Sequence, residues 1–129
     1  MKVNFYLKVP NADFETSIFC MFRYDGKEVK VYTDKKILPE YWNKEQQKVR
    51  TTKKFPTNPE FNNYLKSIED LAIQTEYDWK QKHRNLKEIP SLPEQILKDC
   101  IKNYINNTTP EKRESNTIKT FWGYYENLL

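Results

Sequence analysis

The chain has 129 residues, of which 37% are hydrophobic, 31% charged and 15% aromatic, enough for one ordinary domain or two small ones and too aromatic for a wholly disordered chain. Only 2 glycines are present, so phosphate-cradling glycine loops have nothing to be made from. The formal net charge of +4 is uneven: Met1 to Lys54 carries 12 Lys or Arg against 7 Asp or Glu, whereas Phe55 to Leu129 carries 10 against 11, which points to a polyanionic partner for the first part.

Lys2 to Lys8 reads K-V-N-F-Y-L-K and alternates with strand periodicity, Val3, Phe5 and Leu7 on one side and Lys2, Asn4, Tyr6 and Lys8 on the other. Val9 to Thr16, with Pro10, Asn11 and Asp13, reads as a loop. Ser17 to Tyr24 and Lys27 to Thr33 flank Asp25-Gly26, the dipeptide suited to a two-residue type I′ turn, so a tight hairpin is expected. Such a turn sets Tyr24 opposite Lys27, Phe22 opposite Val29, Cys20 opposite Val31, Arg23 opposite Glu28 and Met21 opposite Lys30. With the first strand added, one sheet face holds Val3, Phe5, Leu7, Ile18, Cys20, Phe22, Val29 and Val31. The other holds Lys2, Asn4, Tyr6, Lys8, Arg23, Lys30 and Tyr32, a wet, basic, tyrosine-bearing surface.

Ile37 to Arg50 reads as a turn around Pro39 with a short helical piece through Trp42, which plugs one edge of the small core, followed by a basic loop from Lys48 to Lys54. A helix start follows, with Asn58 as N-cap, Pro59 at the first helical position and Glu60 near the positive end of the dipole. Phe61, Tyr64, Leu65, Ile68, Leu71, Ala72, Thr75 and Trp79 then share one helical face as far as about His83, the expected cover for the sheet. Asn85 to Pro93, with Pro90 and Pro93, breaks the helix and reads as a linker. Ile96, Leu97, Cys100, Ile101, Tyr104 and Ile105 resume helical spacing, and Ile118, Phe121, Trp122, Tyr125 and Leu128 line a last amphipathic run.

The fold class expected is therefore α+β: a small three-stranded antiparallel sheet packed on a long helix, followed by additional C-terminal helices. The domains expected are residues 1–84 (sheet plus long helix), a linker at 85–93 and a helical segment at 94–129.

Catalytic and metal chemistry finds little to work with. Cys20 and Cys100 lie far apart among apolar residues, His83 is the one histidine, and no CxxC spacing occurs, so neither metal nor any other cofactor is expected. His83 in K-Q-K-H-R reads as a solvated helix-end residue, and Glu69-Asp70 with Glu76/Asp78 read as the helix's solvent face. Arg23, Arg50, Arg84 and Arg113 are dispersed and build no pocket for a tyrosine nucleophile. No stretch has the length and apolarity of a bilayer span, Met1 to Pro10 is not a signal peptide, and two free thiols suit a reducing cytoplasm.

Four segments in order carry a family resemblance: M-K-V-N-F-Y-L-K, I-F-C-M-F-R-Y-D-G-K-E-V-K-V-Y-T, I-L-P-E-Y-W-N-K-E-Q-Q-K-V and F-N-N-Y-L-K-S-I-E. From Met1 to about Glu69 the chain resembles the amino-terminal arm-binding domain of tyrosine recombinases, the integrases of Bacteroides-type mobile elements. The family pattern is a strand, an R-Y-x-G-K hairpin ending in Thr, a P-x-x-W-N segment and a helix beginning near N-x-x-L-x-x-I; Asp34 stands where the family usually has a glycine after that Thr. The tail T-F-W-G-Y-Y-E-N-L-L resembles the first helix of the family's helical, SAM-like core-binding domain. The family's catalytic domain has no counterpart here, so the chain itself is not expected to be an enzyme.

The resemblance implies sequence-specific binding of double-stranded DNA at arm-type sites, so that the recombinase is positioned for integration or excision. The implied DNA-binding residues are Lys2, Asn4, Tyr6, Arg23, Lys30 and Tyr32 on the sheet, with Lys27, Lys35 and Lys36 on its rim. Arg23 suits guanine and Asn4 adenine as base partners, while lysines position the protein on phosphates. Other recombinase protomers are a further expected partner, through the C-terminal helices. The competing reading is a protein interaction module that uses those aromatic helices and carries an incidental basic surface; strand lysines and an Arg23/Glu28 ion pair also occur on sheets that bind nothing.

Overall fold

The computed structural model describes residues 1–50 and 58–107. Three antiparallel strands come first, β1 (Lys2–Leu7), β2 (Thr16–Tyr24) and β3 (Lys27–Ile37), in the spatial order β1-β2-β3. The hairpin register is the expected one, with Tyr24 opposite Lys27, Arg23 opposite Glu28, Phe22 opposite Val29, Met21 opposite Lys30 and Cys20 opposite Val31. Its cause is local: Asp25 and Gly26 take φ of 48° and 74°, the paired positive values that a type I′ turn needs. On the other side β1 pairs Lys2 with Arg23, Asn4 with Met21 and Tyr6 with Phe19.

The ladder between β2 and β3 shifts register between Ser17 and Phe19. Thr33 pins this irregularity, its hydroxyl donating to the Ile18 carbonyl at 2.8 Å and accepting from the Lys35 amide at 3.1 Å. Asp34 is not among the residues with positive φ, so a side chain is accommodated there without strain. Its carboxylate accepts from the Tyr64 hydroxyl at 2.8 Å.

Where a basic loop was expected to begin at Lys48, the chain instead makes a second small ladder. A 3-10 turn at Pro39–Tyr41 leads into β4 (Trp42–Asn43), which pairs with β5 (Lys48–Val49). Alternation could not reveal strands of two residues, because two positions are too few to show a period. The turn between them is held by the Asn43 side chain, which accepts from the Gln46 amide at 2.9 Å. Gln47, at φ 55°, offers its side-chain carbonyl to the Phe5 amide at 2.9 Å, satisfying a donor on the exposed edge of β1. Trp42 is buried as expected.

Two helices follow, α1 (Asn58–Lys82) and α2 (Glu94–Asn107). The expected N-cap role of the Asn58 side chain lies outside the described residues, as do the rest of the basic loop and the last amphipathic run. Tyr64, Leu65, Ile68, Leu71, Ala72 and Trp79 of α1 are buried, together with Leu97, Cys100, Ile101 and Ile105 of α2 and the apolar face of the sheet, in one cluster, and Thr75 of α1 is buried as well. The fold is thus α+β, a three-stranded antiparallel sheet with both helices packed on it.

The cover of the sheet is shared in a way the helical period alone did not indicate: α2 lies against β3, while α1 lies against α2 and β5. Residues 85–93, read as a linker, are tied down on both sides. The Tyr24 hydroxyl donates to the Leu92 carbonyl at 2.7 Å, Ser91 donates to Asp25 at 2.9 Å, and the Trp79 indole donates to the Pro90 carbonyl at 2.9 Å.

One residue read as part of the solvent face is buried, and another is half-buried with a partner of its own. Glu76 is 8% exposed, paired with the Met1 ammonium at 3.3 Å and with Lys80 at 3.7 Å. His83 stacks on Trp79 with ring centroids 4.2 Å apart, and its Nδ1 lies 2.8 Å from the Trp79 carbonyl oxygen. Both depend on groups brought in from elsewhere in the fold or one helical turn back, which a surface-face reading does not weigh.

Candidate nucleic-acid interface

With the helices on one side, alternation along each strand leaves the opposite face of the sheet open. Its centre is an aromatic row running across all three strands. The Phe19 ring of β2 lies 5.6 Å from Tyr6 of β1 and 5.5 Å from Tyr32 of β3, both tilted rather than stacked flat. Lys30 Nζ sits 4.3 Å from the Phe19 centroid and 5.1 Å from that of Tyr32, and Lys8 Nζ approaches Tyr32 at 5.8 Å. These cations lean over ring faces, which favours them modestly and keeps them near the surface.

At the hairpin end of the same face, Arg23 Nε donates to Glu28 at 3.1 Å. Hydrogen bonding to Tyr6, then to Glu28, pushes the Arg23 pKa further up, so the guanidinium is a permanent cation. The pair is exposed, with side-chain exposures of 39% and 63%, and an exposed pair is readily exchanged for another anion.

The structure therefore brings Lys2, Tyr6, Arg23, Lys30 and Tyr32 onto one surface, and Lys36 extends it at the far end, opposite Ser17. Three of the expected positions differ in placement. Asn4 belongs to this face by register but is only 9% exposed, so its amide is largely covered. Lys27 turns to the helical side, its Nζ 3.4 Å from the Leu92 carbonyl oxygen and 5.9 Å from the Tyr24 centroid. Lys35 shares its parity in β3 with Val31, Thr33 and Ile37 and so falls on the helical side, its Nζ 5.4 Å from the Tyr64 ring of α1.

Sequence reasoning passed over Phe19 and Met21 as members of the open face. The signal was available: once Ile18, Cys20 and Phe22 are assigned to the core, the residues between them must point the other way. Both are half-buried, lying on the central strand.

Among the described residues no cluster of His, Cys, Asp and Glu could hold a metal ion, and no helix is long and apolar enough to cross a membrane. Burial pushes the Cys20 thiol up to about 12 and the Cys100 thiol to about 11, so neither is a thiolate nucleophile at neutral pH. The cavities beside β1 are small; one of about 100 Å³ is lined by Phe5, Tyr6, Leu7, Pro10, Pro39, Trp42 and Lys44.

A family model described as an arm DNA-binding domain matches residues 5–90. The match takes in the sheet from Phe5 of β1 onward, the β4/β5 ladder, α1 and most of the segment that follows α1. No curated protein and no solved structure matches the chain.

Proposed function

The chain belongs to the arm DNA-binding domain family, typical of the amino-terminal parts of integrases, and from that premise we propose that its open sheet face enters the major groove of arm-type sites of a mobile-element tyrosine recombinase. DNA binding by an integrase-type protein is what the family implies; the groove, the site class and the contacting residues are the present reading. The observation that carries it is the cationic and aromatic face of Lys2, Tyr6, Lys8, Arg23, Lys30, Tyr32 and Lys36, opposite the helices.

Size supports the geometry. Three strands about 4.8 Å apart give a sheet roughly 10 Å wide, against a major groove of about 12 Å. In that pose the outer strands lie near the groove walls, where Lys2 and Lys8 on one side and Lys30 and Lys36 on the other neutralise phosphates. Arg23, on the central strand, is directed to the base edges, where its fork suits guanine O6 and N7. Asn4 loses priority as an adenine reader because it is covered, and Lys27 and Lys35 are assigned to holding the helical layer.

The arm unit is taken to extend through α2, because Leu97, Cys100 and Ile101 share its core. Positioning by this unit, and not strand cleavage, is the role proposed for these residues: the recombinase is held on its arm sites while chemistry occurs elsewhere. Fluorescence anisotropy with a duplex carrying the element's arm sites tests the reading. Affinity is expected to fall steeply with salt, as displaced counterions require; binding that is absent, or indifferent to salt, overturns it.

A further inference from the structure

We infer that the central strand reads thymine methyl groups, through Phe19 and Met21, so that the preferred duplex is one with thymines at set positions beside a guanine contacted by Arg23. The inference rests on the groove-binding reading above and goes further, to what the base contacts recognise.

Strand order decides which side chains can reach the groove floor. In a three-stranded sheet lying in a groove, the middle strand is deepest, and its outward residues are Ser17, Phe19, Met21 and Arg23. Phe19 and Met21, at the centre of this row, have no hydrogen-bonding group suited to a base edge. The one apolar feature on the major-groove floor is the C5-methyl of thymine, and apolar side chains are its natural partners. Alternate residues on a strand are about 6.7 Å apart, close to two base-pair steps of 3.4 Å. Phe19, Met21 and Arg23 would then sample positions about two base pairs apart along the groove.

Phe19 is held in place by its neighbours, between Tyr6 at 5.6 Å and Tyr32 at 5.5 Å, so its ring is positioned before any ligand arrives. Lys30 lies over that ring at 4.3 Å in the free protein. A cation resting on an exposed ring is held weakly compared with one facing a phosphate. On docking, Lys30 leaves the ring for the groove wall, and the apolar surface it covered becomes available to a methyl group.

The test starts from a randomised duplex library, from which the protein selects its preferred sequence. That duplex is then remade with deoxyuridine in place of thymidine, which removes the methyl and leaves base pairing unchanged. The parent protein is expected to bind the uracil form about fourfold more weakly for each methyl contacted, the value of one buried methylene-sized group. Phe19→Ala is expected to bind the thymine duplex more weakly and to discriminate less between the two forms, with its far-ultraviolet circular dichroism unchanged.

Equal affinity of the parent for both forms overturns the inference and leaves the DNA-binding reading intact. A single-stranded thymidine oligomer that competes as well as the duplex also overturns it, since the aromatic row would then be stacking bases. Selection of no duplex at all overturns both readings. Because the comparison of the two duplexes uses the parent protein, it holds whether or not the variant folds.

Discussion

The Tyr24 hydroxyl donates a 2.7 Å hydrogen bond to the Leu92 carbonyl, joining the last residue of β2 to the segment that leads into α2. Tyr24 is 5% exposed and Leu92 fully buried, so this bond closes the core at the hairpin end. It also explains why residues that look like a linker are ordered against the sheet: a tyrosine that began as part of a strand pattern supplies the donor for a backbone carbonyl 68 positions away.

Tyr24→Phe removes that donor and leaves the carbonyl with Lys27 as its remaining neighbour at 3.4 Å. The expected loss is about 0.5 to 1.5 kcal/mol in urea unfolding, the net value of one hydrogen bond, since the carbonyl keeps the Lys27 donor. DNA affinity is expected to stay near that of the parent, because the open face is untouched. A variant as stable as the parent would show that the bond contributes nothing net.

Alkaline pH is expected to destabilise the fold. Burial raises Tyr24 from 10.0 to about 12, Cys20 from 9.0 to about 12 and Cys100 from 9.0 to about 11. Each is an acid whose protonated form the fold favours, so the stabilisation is complete below the unfolded pKa and is lost as pH rises through the folded value. The urea midpoint should fall progressively from about pH 9 towards pH 11. Both thiols should be inert to a thiol reagent at pH 8 until the chain unfolds.

Arg23→Ala and Lys36→Ala should fail differently. Loss of Arg23 is expected to weaken binding roughly 5- to 100-fold on the preferred sequence and to relax the preference at one base pair. Loss of Lys36 is expected to weaken all duplexes alike and to lower the salt slope by about one. Anisotropy titrations over a salt series on preferred and scrambled duplexes separate the two; identical behaviour would remove Arg23 from the base contacts.

Lysines of the same segment should divide by the direction they face. Lys30→Ala is expected to weaken DNA binding, whereas Lys27→Ala and Lys35→Ala should leave it nearly unchanged, since their ammonium groups lie by Leu92 and Tyr64 on the helical side. Equal losses at all three would mean that net charge, not the open face, carries the affinity.

What the order of residues determined by itself is the local part of this protein. Asp25-Gly26 sets the turn, the turn sets the register from Tyr24 and Lys27 back to Cys20 and Val31, and strand alternation then separates Phe22 from Arg23. The helical face from Tyr64 to Trp79 followed from spacing in the same way. These are short-range consequences of backbone geometry, readable wherever a period runs long enough to be seen.

The tertiary structure decided which surface each remaining residue serves. Strand alternation already sets Lys27 and Lys35 on the face of Val29, Val31 and Ile37, but only the tertiary structure brings the Leu92 carbonyl and the Tyr64 ring up to them. Asn4 has the right register and is covered all the same, while Glu76 is drawn inward by the Met1 ammonium. Such placements depend on contacts between residues tens of positions apart, and no local period encodes which distant group will fill the space beside a side chain.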